Sequence, residues 1–180
     1  MNRKTIFLFV LTLLMFMTSI SFAESMYPST LDNGNLVIVD GTMGTGIYAD
    51  RSSVSVERYA PPNYELSIDV INVSFSEDYF KIHHNYKYSP YRFGNKNRVY
   101  IKYNWDRKTV SRLRNNVWVD YDLNRDNSHA DGNPFVPCVS EVAFVSAYSM
   151  RFFDDKMGYD PYFKRYYRII DEEFYRLLGI

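Results

Sequence analysis

Two stretches of alternating apolar and polar residues, 53–57 and 66–70, constrain the fold of this chain more than any other feature. Successive side chains of a β-strand point to opposite faces, so each stretch predicts a strand with one buried and one wet face. A Pro-Pro pair at 61–62 separates them and is expected to form the turn, because proline cannot continue a sheet ladder. Beyond Val70 the apolar residues shift by one position, to 71, 73 and 75, which predicts either a β-bulge or the end of the strand.

Further strand-like segments crowd the same part of the chain. They lie at residues 36–39, 47–50, 86–93, 98–105, 109–114 and 117–122. A glycine-rich turn at 41–46 follows the first, residues 94–97 are expected to join the third and fourth, and Asn115-Asn116 predicts a tight hairpin between the last two. Short strands joined by tight turns predict an antiparallel meander of about five or six strands.

The C-terminal third has helical periodicity. Pro137 suits a first helical position, and an apolar stripe follows at residues 142, 145, 148 and 152. A second helix is predicted from an N-cap pair at Asp160-Pro161, with its stripe at residues 163, 167, 170, 174 and 177. The sequence therefore predicts an α+β fold: an antiparallel meander sheet covered by one or two C-terminal helices.

Residues 1–23 have the pattern of a signal peptide. Arg3 and Lys4 precede an apolar run at 6–17, and small residues end the segment at Ala23. We expect cleavage there, export to the periplasm, the cell surface or the medium, and no membrane span afterwards. Residues 24–35 are expected to form a loose N-terminal arm, and residues 36–180 a single domain.

The charge and the cysteine content limit which partners the protein can bind and how its fold can be stabilised. Loss of Arg3 and Lys4 reduces 21 basic residues to 19 against 21 acids, a net charge of −2 that argues against a nucleic-acid binder. Cys138 is the only cysteine, so no intramolecular disulfide can form. The sequence favours a buried, hydrophobic role for Cys138 and leaves its reactivity open.

Candidate metal and catalytic groups do not form a recognisable site. The oxygen-bearing residues between Asp120 and Asp131 are spaced as in a calcium loop, but Arg125 stands where such a loop needs glycine, and a solvated acidic loop is the alternative. His83 and His84 would point to opposite sides of a strand and cannot chelate one ion together. No catalytic residue, metal or cofactor is assigned.

The segment from Lys96 to Arg114 is strongly basic. It contains seven cationic residues and one acid, a net charge of +6, with aromatic residues between them. We expect a basic, aromatic face that binds an acidic protein surface or a polyanionic polysaccharide. Its candidate residues are Arg98, Tyr100, Lys102, Arg112 and Arg114. The alternative is an ordinary solvated sheet face.

The motif Gly-Ile-Tyr-Ala-Asp-Arg-Ser-Ser-Val-Ser-Val at residues 46–56, with Tyr-Ala-Pro-Pro at 59–62 and a strand reaching residue 70, resembles the surface-adhesin protein E family. It also resembles small exported bacterial proteins that share this opening. The resemblance implies an antiparallel sheet with a C-terminal helix across it, displayed at the cell surface or in the periplasm. It implies a disulfide that tethers the helix, for which Cys138 has no partner, and it carries over no binding residue.

The combined features favour a non-enzymatic exported binding or adhesion module whose protein or polysaccharide partner the sequence does not identify. Two alternatives stay open: a structural or accessory protein of the cell envelope, and a small exported hydrolase.

Overall fold

The computed structural model describes residues 27–42, 44–75, 91–121, 135–160 and 164–180. Seven strands form one antiparallel sheet in which the spatial order equals the chain order, so the predicted α+β meander is confirmed, with seven strands in place of five or six. The strands are β1 (Thr30–Leu31), β2 (Leu36–Thr42), β3 (Thr45–Ala60), β4 (Asn63–Phe75), β5 (Tyr91–Asn104), β6 (Thr109–Arg114) and β7 (Val117–Asp120).

Two of these strands are longer than the sequence predicts. The separate pieces expected near 47–50 and 53–57 form one strand, β3, whose register to β4 shifts between Asp50 and Ser55. The turn expected at 94–97 is wrong, because β5 runs through it. A bulge changes the phase of the side chains without ending the strand, which explains both differences. A register shift does occur between Ile71 and Val73, but its extra residue lies in β5, and β4 stays in continuous register with β3 from Asp69 to Ser74. The apolar phase changes beyond Val70 because Val73 and Phe75 are buried on the opposite face of the sheet.

The β6–β7 hairpin agrees with the sequence. Asn115 and Asn116 have φ values of 48° and 62°, the left-handed conformation that a two-residue hairpin turn requires. Arg114 consequently lies opposite Val117, and Arg112 opposite Val119.

Helix α1 (Phe135–Tyr148) covers one face of the sheet. The helix predicted over 160–179 is wrong for most of its length. Strands β8 (Met157–Asp160) and β9 (Arg165–Arg168) pair as a second, two-stranded sheet, and only α2 (Glu172–Leu178) is helical. Tertiary pairing thus overrides helical periodicity here. The observed N-cap is Asp171, whose side chain accepts a hydrogen bond from the N–H of Phe174, 2.7 Å away.

Hydrophobic clusters lie on both faces of the sheet. The larger one packs under α1 and contains a chain of aromatic rings around Phe144, which contacts Tyr103, Trp105 and Phe152. The smaller one lies on the opposite face. Its buried members are Tyr27, Leu31, Leu36, Tyr48, Val73 and Phe75.

The N-terminal arm is packed where the structure describes it, in contrast to the loose arm expected from the sequence. Tyr27 and Leu31 are buried in the smaller cluster, and β1 pairs with β2. The hydroxyl of Tyr48 donates a hydrogen bond to the carbonyl of Pro28 at 2.8 Å. Apolar contacts and a strand ladder therefore hold the arm on the sheet.

Several predicted features lie outside the described residues: the signal peptide at 1–23, the start of the predicted strand at 86–93, the histidines at 83, 84 and 129, and most of the segment between Asp120 and Asp131. Within the described part of the chain, none of the helices combines the length and the apolar character that crossing a membrane requires.

Candidate functional site

The five predicted binding residues lie on two different faces of the sheet. Directly paired residues of antiparallel strands point to the same side. Arg112 is paired with Ile101 and therefore lies on the side of the sheet that α1 covers, which we call the helix face. Arg98, Tyr100 and Lys102 alternate with the buried residues of β5 and lie on the other side, the outer face. The single basic, aromatic face expected from the sequence is therefore wrong.

Cations of the outer face are neutralised by acids of neighbouring strands. Arg98 is 3.0 Å from the carboxylate of Asp69, and its guanidinium also donates hydrogen bonds to the hydroxyl of Ser67. Lys102 lies 3.5 Å from Glu65 and 4.1 Å from the centre of the Trp118 ring. The positive charges of Arg98 and Lys102 are thus compensated by acids of the neighbouring strand.

Asp69 lies at the centre of the outer-face ion pairs. Its carboxylate is also 2.8 Å from the ammonium of Lys96, which in turn is 3.4 Å from Asp50. Burial raises the pKa of Asp69, but the hydrogen bonds and charges of Lys96 and Arg98 outweigh this, and the pKa is lowered overall. These groups satisfy one another, as expected of a structural network.

The arginines of β6 differ from those of β5. No carboxylate of the described residues pairs with Arg112 or Arg114. Arg112 packs with its guanidinium 5.1 Å from the ring centre of Phe135, the first residue of α1, and its buried Nε has no hydrogen-bond acceptor. Burial lowers the pKa of Arg112, and the charge of Arg114 adds to the effect.

Two exposed valines adjoin these arginines. Val117 and Val119 are 61% and 46% exposed, and their register with Arg114 and Arg112 places them on the helix face. We call the four residues Arg112, Arg114, Val117 and Val119 the β6–β7 corner. The valines were not predicted as site residues, although the Asn115-Asn116 turn by itself implies their register opposite the arginines.

Two ionisable side chains of the kind that can take part in catalysis, those of Glu141 and Cys138, are buried in the core. Glu141 is fully buried, and its carboxylate accepts hydrogen bonds from the backbone N–H groups of Phe152 and Phe153. Burial raises its pKa to about 7 against the lowering effect of these bonds. The thiol of Cys138 is also buried, and burial, with the charges of nearby acids, raises its pKa far above the usual range.

Glu141 lies midway along α1, and its carboxylate connects this helix to the chain that follows it. Among the described residues, no three His, Cys, Asp or Glu side chains are grouped closely enough to hold a metal ion.

The β6–β7 corner therefore combines two arginines that pair with no carboxylate of the described residues with two exposed valines. Comparison of the chain with protein-family models, with curated proteins and with solved structures gives no match. The resemblance to the surface-adhesin protein E family stays a prediction.

Proposed function

We propose that this protein is an exported, non-enzymatic binding module that holds an anionic group of its partner at the β6–β7 corner. One observation carries the proposal: Arg112 and Arg114 have no carboxylate partner among the described residues, whereas Arg98 and Lys102 on the outer face are paired. The proposal retains the predicted chemistry of the partner, an acidic protein surface or a polyanionic polysaccharide, and moves its site to one edge of the sheet.

Desolvation of Arg112 explains why an anion would bind there. A guanidinium that is partly withdrawn from water loses hydration, and a buried N–H without an acceptor costs about 1–3 kcal/mol. A carboxylate or sulfate would accept hydrogen bonds from the terminal N–H groups of the guanidinium, and its negative charge would offset the repulsion between Arg112 and Arg114. The ring of Phe135 restricts the guanidinium, so less conformational entropy is lost on binding.

The surroundings of the corner support binding more than catalysis. Val117 and Val119 offer an exposed apolar border beside the two charges, a combination found at protein interfaces. The titratable groups with the most strongly raised pKa values, such as Glu141 and Cys138, lie in the core, away from the corner.

A charge-matched pair of double variants tests this function. Arg112→Gln/Arg114→Gln and the control Arg98→Gln/Lys102→Gln each remove two positive charges. We would titrate the purified protein with polyglutamate and with polygalacturonate at low and physiological salt. A charge-assisted hydrogen bond contributes about 1.5–3 kcal/mol, so the corner variant should bind at least roughly ten-fold more weakly, while the control changes about two-fold. Equal losses in both variants would refute the proposed site.

Export and surface display form the second part of the proposal, and they rest on the pattern of residues 1–23 and on the resemblance of residues 46–70. Mass spectrometry of the protein recovered outside the cytoplasm should find Glu24 as its first residue. Protease added to intact cells should degrade a surface adhesin and leave a periplasmic accessory protein whole. A protein that still begins at Met1 would count against cleavage.

A further inference from the structure

Strand β7 is the last strand of the seven-stranded sheet, and of the described residues only β6 pairs with it. Val117 and Val119, two of its four residues, are exposed. An edge strand presents unpaired backbone N–H and C=O groups, which can pair with an added strand.

The hairpin geometry identifies which backbone groups face outward. In a two-residue hairpin the residues that flank the turn, here Arg114 and Val117, bond to each other through their backbones. The pattern alternates along antiparallel strands, so the N–H and C=O of Trp118 point away from β6. Trp118 is thus the central residue for pairing with another strand.

The corner also defines which side chains an added strand should carry. Neighbouring strands lie about 4.8 Å apart, so a segment paired with β7 would be about 9.6 Å from β6. On the helix face its side chains would lie beside Val117 and Val119 and could extend toward Arg112 and Arg114. A glutamate fits both requirements, because its methylene groups can pack on valine while its carboxylate reaches an arginine.

We propose that the partner contributes an extended peptide segment, acidic at alternate positions, that adds to the sheet as a strand beside β7. The inference rests on the proposed function and commits it to a protein partner. Backbone pairing with Trp118 supplies the register, and the uncompensated charges of Arg112 and Arg114 select acidic side chains. Binding of a polysaccharide to the same arginines is the outcome that would contradict it.

The probe is an acetylated and amidated heptapeptide of alternating threonine and glutamate, with alternating threonine and lysine as the charge control. Binding to the purified protein is followed by amide chemical shifts. Trp118→Pro removes the outward N–H that pairs with the probe, and proline is tolerated at such an edge position. Trp118→Ala loses the same side chain and keeps the N–H, so the two variants form a matched pair.

Strand addition predicts that Trp118→Pro binds the acidic peptide at least ten-fold more weakly than Trp118→Ala, and that the lysine peptide does not bind. Equal affinities of the two variants would overturn strand addition and leave the proposed function standing. Polygalacturonate binding that depends on Arg112 and Arg114, with no binding of the acidic peptide, would also overturn strand addition and leave the proposed function standing. If no anionic probe depends on Arg112 and Arg114, the proposed function itself fails.

A second measurement covers the case in which Trp118→Pro does not fold. Two further acidic peptides carry N-methyl groups on all threonines or on all glutamates. Only every second N–H of an added strand faces β7, so one methylated peptide should lose binding and the other should retain it. Equal behaviour of the two peptides toward the wild-type protein would overturn the proposal.

Discussion

The carboxylate of Glu141 accepts a hydrogen bond 2.7 Å long from the backbone N–H of Phe152. The same carboxylate accepts a second bond from Phe153, and the Tyr175 hydroxyl is a third hydrogen-bond partner. Glu141 thereby joins α1 to the chain that follows it and to α2. The core of this protein thus contains an ionisable group at a structural junction.

Glu141 should make stability depend on pH. Its pKa in the folded protein, about 7, lies above the usual value of 4.5. Below pH 4.5 it is protonated in both states. As the pH rises to about 7, the unfolded state releases this proton and the folded state retains it, so stability falls, by about 3 kcal/mol in total. Above pH 7 Glu141 is ionised in both states, and the free energy of unfolding is reduced by the full cost of burying its charge.

Replacement by glutamine tests this dependence. The stability advantage of the wild-type protein over Glu141→Gln should shrink by about 3 kcal/mol between pH 4.5 and pH 8, because glutamine does not titrate. Urea unfolding at several pH values measures the difference, with Glu173→Gln on the exposed side of α2 as the control. A difference between wild type and Glu141→Gln that is constant with pH would contradict the prediction.

Replacement of Arg112 and of Arg98 by methionine should change the unfolding free energy in opposite directions. Arg112→Met removes a partly buried cation whose Nε has no acceptor and retains apolar contact with Phe135, so we expect a gain of about 1 kcal/mol in unfolding free energy. Arg98→Met removes the guanidinium donor to Ser67 and one of the two cations at Asp69, and it should cost about 1–2 kcal/mol. Chemical denaturation measures both. Equal destabilisation by both variants would show that Arg112 is already compensated.

The aromatic core should be most sensitive at Phe144. Its ring contacts five other aromatic rings and stacks on Trp105 with ring centres 5.6 Å apart. Phe144→Ala should lower the unfolding free energy by about 3–5 kcal/mol, since it removes buried area and leaves a cavity. Phe174→Ala, at a half-buried position of α2, should cost clearly less. Similar losses in thermal and urea unfolding would argue against a central role of Phe144.

Attachment of the N-terminal arm should depend on the small size of Gly41. A Cβ atom there would lie 2.5 Å from Cε2 of Tyr27, so Gly41→Ala should displace the Tyr27 ring and cost about 1–3 kcal/mol. The N–H of Gly44 donates to the Tyr27 hydroxyl at 3.0 Å, and its hydrogen exchange should accelerate in the variant. Thr42→Ala, an exposed neighbour, should leave exchange unchanged.

Local sequence patterns predicted the elements that depend on local physics. The alternation at 66–70 identifies β4 and its buried face, because side-chain direction along a strand has a period of two. Asn115 and Asn116 identify the last hairpin and its register, because few other residues adopt left-handed conformations at low cost. The helix predicted from the apolar stripe at 163–177 is wrong for most of its length, because the pairing of β8 with β9 overrides helical periodicity.

The sequence by itself determined the meander, the buried face of β4 and the lack of an intramolecular disulfide. Only the tertiary structure decided the charge of each face. Seven cations lie close together in the chain, but Asp69 and Glu65, which come 29 and 37 residues earlier, neutralise Arg98 and Lys102 across the β4–β5 ladder. Charge compensation depends on distance in space, which strand register sets, so the uncompensated pair at Arg112 and Arg114 becomes visible only in the folded sheet.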